Sequence, residues 1–438
     1  MRLLFVDNFR GFSRQFIPLE EVNFFLGENS TGKSSILALI NLFSSPLLWL
    51  RQEFNTDEFQ LGNYRDIVSV NATDSDSFQI GLIQCPENKP EVEKSAVFTF
   101  LMEFYEKDGI PAISKYCYIN KTNAVQIFFT NKGVKYNIDK IDYGHERAKV
   151  MKQIFQSWLV SNANEMDLKK LKVPISLRFG IPLPIIADII NEGTKIEKKG
   201  KKISFYLQMP DFADNIAWIA PLRSKPKRTY DQYKFTFSPE GDHAPYLVRK
   251  FLENKRSKQA VRFHNFMQQY GKKSGLLKDI GIKKLESHSA SPFQLNIILE
   301  DKPLNISNVG YGVSQSLPIF VELFARPKNS WFAIQQPEVH LHPRAQAALG
   351  DVFCDLALRE KKRFFIETHS DFIIDRFRFK VSQSNEPLSS QVVFFEQVKG
   401  LNKAYPIKIL SNGKYADDQP ESFRRFFIKE ELSVLGIR

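Results

Sequence analysis

Hydrophobic and polar positions alternate along the first part of the chain as strands and helices require. Apolar runs at residues 2–6 and 22–26 predict two strands, and the second run leads directly into a glycine-rich segment. Apolar residues then recur at helical spacing over residues 33–43, and Pro46 predicts the end of that helix. The pattern predicts strand, loop and helix in immediate succession within an N-terminal lobe, residues 1–100.

The middle of the chain has a less regular pattern. Residues 101–215 mix short aromatic strands with an amphipathic stretch, and we expect an α+β insertion there. Its densest charge run, residues 195–202, predicts a solvated hairpin tip. Residues 216–290 form a second insertion that is helical and basic over 244–285. This basic block fits either a charged outer face or a surface that contacts DNA or a partner protein.

A regular alternation of strands and helices returns in the C-terminal lobe, residues 291–438. Such an alternation predicts an α/β fold whose sheet is mixed and largely parallel, with helices packed on it. The predicted strands are 294–299, 331–334 and 363–367, and the predicted helices are 313–324, 344–358 and 372–377.

Composition narrows the class of protein. Of the 438 residues, 43% are hydrophobic and 25% are charged, which is ordinary for a globular chain. No apolar run approaches the ~18 residues of a membrane span, no signal peptide is visible, and the three cysteines lack metal-binding spacing. We therefore expect a cytoplasmic protein without a membrane partner. The net charge of +12 leaves contact with DNA or RNA as open as its absence.

The glycine-rich segment, residues 27–34, fits the pattern G-x-x-x-x-G-K-[ST]. A strand precedes it and a helix follows, so backbone N–H groups at the helix start should bind the phosphates of ATP. Lys33 should contact the β- and γ-phosphates, and the Ser34 hydroxyl should be a ligand of Mg²⁺. The predicted nucleotide-binding residues here are Gly27, Asn29, Ser30, Thr31, Gly32, Lys33, Ser34 and Ser35.

A hydrophobic strand that ends in polar residues indicates a Walker B site at residues 333–343. In P-loop enzymes one acid there binds the metal and another polarises the attacking water. Gln335 and Gln336 occupy those positions, so we assign Gln335 to the metal side and Gln336 to the water side. The nearest acid is Glu338. Either hydrolysis is slow, or Glu338 supplies the missing carboxylate, or Glu338 is only a polar residue at a helix entry.

Three further segments carry candidate chemistry. A glycine-rich turn at residues 308–316 opens a helix whose N-terminal amides could hold a phosphate, and the candidate nucleotide-binding residues there are Gly312, Ser314 and Gln315; the alternative is a helix-capping turn. His369 follows the strand at 363–367, where a histidine can sense a γ-phosphate. Residues 218–230 contain several lysines and arginines close to prolines. This segment either contacts nucleotide or nucleic acid or forms a solvated loop.

Together these motifs resemble the ABC-type ATPases of the RecF and overcoming-lysogenisation-defect (OLD) kind, which share a head domain with SMC proteins. The similar segments, in family order, are residues 8–12 and the P-loop, 221–223, 309–315, 336–343 and 368–370. The resemblance implies an ABC-type P-loop ATPase head that forms a homodimer or higher homo-oligomer. It also implies that Arg10 reaches a phosphate, that Gly312 and Ser314 touch the partner's γ-phosphate, and that His369 is the switch histidine.

Two departures from that family matter. Gln335 and Gln336 stand where acids are expected, and only 69 residues follow His369, too few for the Toprim domain of OLD nucleases. A stand-alone ATPase of this kind resembles the PtuA-like ATPases of Septu and retron antiphage systems, which work with a separate HNH-type nuclease. The resemblance thus implies a nucleotide-controlled sensor or clamp that acts on an effector nuclease.

Two other functions remain open. One is a RecF-like ATPase that binds DNA in recombination or repair, and the other is a module that binds ATP structurally without turnover. A neighbouring nuclease or reverse-transcriptase gene would favour the defence role. Repair defects on deletion of the gene would favour the RecF-like ATPase, and an absence of ATP turnover would favour the module that binds ATP structurally. The sustained heptads of an SMC arm are absent from residues 100–290, which excludes a long coiled coil there.

Overall fold

A computed structural model describes residues 1–56, 58–70, 77–85, 98–119, 123–130, 133–143, 146–163, 167–171, 209–213, 216–231, 235–254, 256–286, 291–300 and 302–426. These residues form two compact units. The first unit comprises residues 1–20, 28–214 and 395–406, and the second comprises 21–27, 215–394 and 407–438. The predicted hairpin tip at residues 195–202 lies outside the described residues, and the division of the chain into four domains stays a prediction.

The first unit is built on an eight-stranded antiparallel sheet. Its order is β2-β1-β4-β5-β6-β7-β8-β9. A D-G pair with positive φ at both residues, Asp108 and Gly109, joins two of its long strands in a tight hairpin. The strands are β1 (Arg2–Asp7), β2 (Gln15–Pro18), β4 (Ser77–Gln84), β5 (Phe98–Lys107), β6 (Ile110–Ile119), β7 (Asn123–Thr130), β8 (Gly133–Lys140) and β9 (Lys169–Leu171); β3 (Val22–Gly27) belongs to the second unit.

The described residues of the first unit contain the helices α1 (Lys33–Ser44), α2 (Pro46–Arg51), α3 (Tyr64–Ile67) and α4 (Arg147–Val160). The helix predicted over residues 33–43 is confirmed as α1, and the amphipathic stretch of the first insertion contains α4. Phe155 and Trp158 of α4 are buried in a cluster with Phe5 and Leu101 of the sheet. The Phe43 ring of α1 lies 4.9 Å from that of Phe100. Aromatic packing of this kind anchors both helices on the sheet.

The second unit is built on a six-stranded sheet of order β10-β14-β15-β3-β16-β17. Strands β10, β14, β15 and β3 are parallel neighbours, so the predicted parallel sheet is confirmed. A smaller antiparallel sheet has the order β11-β12-β13. The strands are β10 (Ile216–Ile219), β11 (Asp279–Lys284), β12 (Phe293–Leu299), β13 (Lys302–Asn305), β14 (Trp331–Gln335), β15 (Arg363–Glu367), β16 (Ser390–Val398) and β17 (Leu401–Ile409).

The helices of the second unit follow the predicted pattern closely. They are α5 (Ala244–Leu252), α6 (Lys258–Ser274), α7 (Tyr311–Ala325), α8 (Pro343–Glu360), α9 (Asp371–Ser382) and α10 (Glu421–Phe426), with a 3₁₀ turn at Ile306–Asn308. The basic block at 244–285 is helical in α5 and α6 but ends in β11, so its last part was wrongly predicted as helix. None of the described helices is long and apolar enough to cross a membrane. The fold class is α/β, as predicted.

Candidate functional site

The glycine-rich loop connects a buried strand to a helix start. All residues of β3 are buried, and the chain leaves this strand at Gly27 and enters α1 at Lys33. Gly32 caps α1 with a φ of 95°, a conformation that favours glycine. Residues 28–30 are exposed, whereas Lys33 is buried and its Nζ donates to the Glu28 carbonyl at 2.6 Å. An exposed loop at a helix N-terminus presents amide N–H groups to a phosphate.

The other predicted loop residues occupy distinct environments. Thr31 is buried and its hydroxyl donates to the Glu28 carbonyl at 2.8 Å, which closes the loop on itself. Ser34 is exposed in the first turn of α1, and Ser35 is half-buried. An exposed hydroxyl at this position is accessible to a metal ion, and the role of Ser34 as a ligand stays a prediction.

Two residues distant in sequence support the loop within the first unit. A Cβ atom on Gly32 would lie 2.4 Å from the ring of the buried Phe12 and 3.1 Å from Nδ2 of Asn402. The Asn402 side chain donates to the Arg10 carbonyl at 2.9 Å, and its backbone N–H donates to the Gly11 carbonyl at 2.8 Å. Sequence reasoning missed Asn402, because nothing local marks a contact across 392 positions.

The guanidinium of Arg10 contacts a loop of the same unit. Its Nη2 donates to the Leu61 carbonyl at 2.8 Å, while its Nε has no hydrogen-bond partner among the described residues. Burial lowers the pKa of Arg10, and the nearby charge of Asp66 opposes that shift. The backbone is in the left-handed region, with a φ of 44°. A phosphate contact from Arg10 stays a prediction.

Four parallel strands of the second unit end at one edge of its sheet. Strands β10, β14, β15 and β3 have Ile219, Gln335, Glu367 and Gly27 as their last residues. The carboxyl ends of parallel strands form the edge at which open α/β sheets bind ligands. The glycine-rich loop therefore begins at the same edge as the predicted Walker B residues.

The two glutamines that replace the expected acids both contact Glu367. Nε2 of Gln335 donates to Oε2 of Glu367 at 3.1 Å, and the Gln336 backbone N–H donates to the Glu367 carbonyl at 2.8 Å. Gln336 has a φ of 43°, a strained conformation for a residue with a side chain. Glu367 is not among the residues predicted from sequence, although its place at the end of the next predicted strand was a usable signal.

Glu338 is held by the segment that carries His369. Its Oε2 accepts from the Thr368 hydroxyl at 2.8 Å, and its Oε1 accepts from the His369 backbone N–H at 2.7 Å. Burial raises the pKa of Glu338, and these hydrogen bonds and the charge of Arg223 oppose the shift. The His369 side chain is exposed. The structure thus brings the Glu338 carboxylate to the backbone of His369, and the catalytic roles of both residues stay predictions.

Arg223 is a buried cation that links two of the motifs. It is 5% exposed, and its Nη2 donates to the carbonyls of Gln335 and Gln336 at 2.9 and 3.1 Å. Its backbone N–H and carbonyl pair with the Gln315 side chain at 3.3 and 3.2 Å. Burial lowers the pKa of Arg223 to about 10, and the carboxylate of Glu338 opposes the shift. In the described part of the chain its Nε and Nη1 have no hydrogen-bond partner.

The start of α7 carries the signature-like residues against the turn that follows β14. A Cβ atom on Gly312 would lie 2.7 Å from the His340 carbonyl, so only glycine fits that approach. The Tyr311 ring meets the His340 ring edge-on at 4.8 Å. Ser314 is buried and its hydroxyl donates to the Tyr311 carbonyl at 2.8 Å. Contacts of Gly312 and Ser314 with a partner's phosphate stay a prediction.

Comparison with sequence families matches both halves of the chain. Residues 1–173 match the family described as "AAA ATPase domain". Residues 221–375 match the family described as "AAA domain, putative AbiEii toxin, Type IV TA system". The first match contains the glycine-rich loop and the second contains Arg223, Gln335, Glu338 and His369. Both segments are therefore similar to ATPase domain families. No curated protein is similar enough in sequence to count as a relative.

Several solved structures of SMC heads are similar over most of the chain. An SMC head bound to the C-winged helix domain of ScpA has a TM-score of 0.44 at 9% identity and covers 93% of this chain and 97% of its own. The SMC head domain from Thermotoga maritima has a TM-score of 0.35 at 12% identity, covering 93% and 99%. A third structure is an SMC head with an extended coiled coil, bound to the C-terminal domain of ScpA from Pyrococcus furiosus. It has a TM-score of 0.36 at 11% identity and covers 99% of this chain and 100% of its own. These scores are too low to bear on function.

Proposed function

We propose that this chain is an ABC-type regulatory ATPase that binds ATP and magnesium and uses the nucleotide to hold two copies together. The observation that carries the proposal is the succession of buried β3, glycine-rich loop and α1 inside a segment that matches an AAA ATPase domain. Titration calorimetry with a non-hydrolysable ATP analogue and Mg²⁺ tests it. Saturable binding of one nucleotide per chain is expected, and an absence of binding would overturn the proposal.

The residues at the sheet edge fit a magnesium ion. Mg²⁺ prefers oxygen ligands and keeps several waters. The carboxylate of Glu367, the amide oxygen of Gln335 and the Thr368 hydroxyl supply such oxygens at or just past the ends of β14 and β15. When bound with ATP, the ion would neutralise charge on the β- and γ-phosphates. Lys33 and the loop amides would position those phosphates, with Ser34 and Gln335 on the metal side.

Glu338 is the residue best suited to accept a proton from an attacking water. Two hydrogen bonds fix its carboxylate, and burial raises its pKa toward the range that favours proton transfer. The amide of Gln336 can orient a water but cannot accept its proton. Because both of the expected acid positions are amides, we infer slow hydrolysis, which suits a switch that persists in its ATP-bound state.

The exposed surface beside the signature-like helix supports association of two copies. Leu222 is 76% exposed and Tyr311 is 40% exposed, and each adjoins a residue that organises the site, Arg223 and Gly312. Apolar and aromatic side chains of this kind often anchor protein interfaces. In the proposed dimer, Gly312, Ser314 and Gln315 of one copy face the nucleotide of the other, and His369 senses the γ-phosphate.

A role in bacterial antiphage defence is the biological function that we favour. One matching family is named after a toxin of a toxin-antitoxin system, and the sequence resembles PtuA-like ATPases. The expected effector is a separate HNH-type nuclease whose activity the ATP-bound dimer controls. Purification of the tagged chain from its native operon tests this role. A nuclease that co-purifies supports it, and a chain that purifies alone and gives no protection from phage contradicts it.

Contact with DNA or RNA is a second candidate, favoured by the charges of α5 and α6. Lys250, Arg256, Lys258 and Arg262 are exposed on or beside these helices. Arg249 is different, because it is buried, donates to the Ser291 carbonyl at 2.7 Å and lies over the Phe293 ring. Salt-dependent binding of duplex DNA that weakens when the four exposed cations become alanine would support this function.

A further inference from the structure

The loss of both expected acids raises a question about the metal side of the site. Gln335 and Gln336 can offer amide oxygens, but neither offers a negative charge. Magnesium sites in nucleotide-binding proteins combine one or two carboxylates with phosphate oxygens and water. A carboxylate from another strand that ends at the same edge could take over this role.

Glu367 has the position that such a replacement requires. It is the last residue of β15 and the register partner of Gln335 on β14. On its other side, its register partner is Phe25 of β3, two residues before the glycine-rich loop begins at Gly27. Glu367 is therefore the strand-end residue between the Walker B strand and the strand that leads into the P-loop.

The side chain of Glu367 is fixed by its neighbour. It is 4% exposed, and Nε2 of Gln335 donates to its Oε2 at 3.1 Å. This bond turns the amide oxygen of Gln335 away from the Glu367 carboxylate and commits the amide to the role of donor. A carboxylate buried to this degree needs a cation or hydrogen bonds to offset its desolvation. The hydrogen bond from Gln335 is one such interaction, and a bound magnesium ion would be a further one.

Glu338 does not compete for the same role. Both of its oxygens accept hydrogen bonds from the segment after β15, one from Thr368 and one from His369. The two acids are thus held by different partners, Glu367 by a side chain of β14 and Glu338 by the turn that follows β15. This arrangement separates a metal-side carboxylate from a water-side carboxylate.

We propose that Glu367 supplies the metal-side carboxylate of the nucleotide site, through water or directly, and that Gln335 is a positioning residue that orients it. The inference rests on the proposed function, since it presumes that magnesium and ATP bind at this edge. The metal-side carboxylate would then come from β15 instead of β14, and the glutamine at the usual acid position on β14 would orient it by a hydrogen bond.

Binding of Mn²⁺ in place of Mg²⁺, followed by electron paramagnetic resonance in the presence of ATP, tests the inference without reference to turnover. Glu367→Gln should lower Mn²⁺ affinity about tenfold or more, as loss of a ligand or its partner does. Affinity for metal-free ATP should be unchanged. The double variant Gln335→Glu/Glu367→Gln keeps the hydrogen bond with its donor and acceptor exchanged, and it should recover metal affinity.

The outcomes separate this inference from the proposed function. If Glu367→Gln binds Mn²⁺ and ATP as the wild type does, the inference is wrong while ATP binding stands. If the wild type binds no nucleotide, the proposed function itself fails. Should Glu367→Gln lose its fold, shown by its thermal melt, the double variant decides: recovered folding without recovered metal affinity contradicts the role of Glu367, and recovery of both supports it.

Discussion

The backbone N–H of His369 donates to the carboxylate of Glu338 at 2.7 Å. This bond joins the acid of the turn that follows β14 to the backbone of the predicted switch histidine. A shift of the His369 segment on nucleotide binding would therefore move Glu338 as well. The link gives the proposed switch a physical form, because the residue proposed to sense the γ-phosphate is bonded to the residue proposed to activate water.

Replacement of Glu338 by glutamine should reduce ATP turnover about 100-fold or more, since the amide cannot accept a proton. ATP affinity should change little, because the substitution conserves the shape of the side chain. Steady-state phosphate release and nucleotide titration measure the two quantities. Unchanged turnover in Glu338→Gln, together with loss of turnover in Gln336→Ala, would show that Glu338 is not the missing acid.

The pH dependence of turnover should report the ionisation of Glu338. Burial raises its pKa, so the carboxylate that accepts a proton is lost as the pH falls through a value above the ordinary range of glutamate, about 4.3. Turnover should therefore decline on the acid side at a higher pH than an exposed glutamate would give. A pH profile of kcat measures this, and the acid limb should be absent from the residual activity of Glu338→Gln.

Gly32→Ala should disrupt the glycine-rich loop. The added Cβ would meet the Phe12 ring at 2.4 Å, and the φ of 95° disfavours any side chain. Gly109→Ala is the matched control, because Gly109 has a φ of 80° with nothing within 4 Å of the added atom. The control should lose only the conformational cost, about 1 kcal/mol. Thermal unfolding should show a larger loss of stability for Gly32→Ala than for Gly109→Ala, and ATP titration should show a larger loss of ATP affinity. Equal losses in the two variants would mean that Phe12 does not support the loop.

Arg223→Lys should weaken both the fold and turnover. A lysine keeps the charge but lacks the planar fork that serves the carbonyls of Gln335 and Gln336 together. Unsatisfied buried groups cost about 1–3 kcal/mol, so the free energy of unfolding should fall by that order. Arg228→Lys, at an exposed arginine, is the control and should behave as the wild type. Denaturant unfolding and phosphate release test both effects. A stable and active Arg223→Lys would contradict the view that the guanidinium of Arg223 holds the carbonyls of Gln335 and Gln336 in place.

Local patterns in the sequence predicted the individual strands and helices around the candidate site. The apolar run of β3, the helical spacing of α1 and the strands β14 and β15 follow from periodicity alone. The glycine-rich loop was recognised because its chemistry needs residues at fixed spacing, from Gly27 to Ser34. These are the elements that position the candidate site.

What the sequence did not reveal depends on pairing between distant segments. The antiparallel sheet of the first unit joins β1 to strands up to Leu171, and these pairings between distant strands leave no local pattern in the sequence. The apolar residue Val261 of α6 is 50% exposed, because the helix turns another face inward. Asn402 contacts residues that only the folded chain brings near, so no spacing rule marked it, and the one signal for Glu367 was its place at the end of a predicted strand.

The central claim is that ATP holds two copies of this chain together, and molar mass measured by light scattering tests it most directly. With Mg²⁺ and ATP, the mass of Glu338→Gln should double relative to the nucleotide-free protein, since slow hydrolysis preserves the bound state. Lys33→Ala should lose ATP affinity by about tenfold or more, ~1.4 kcal/mol, and should therefore stay at the mass of the nucleotide-free protein. Lys328→Ala, at an exposed lysine, is the control and should show the same ATP-dependent change in mass as the protein without this substitution. A mass that ATP leaves unchanged at saturating occupancy would contradict the claim.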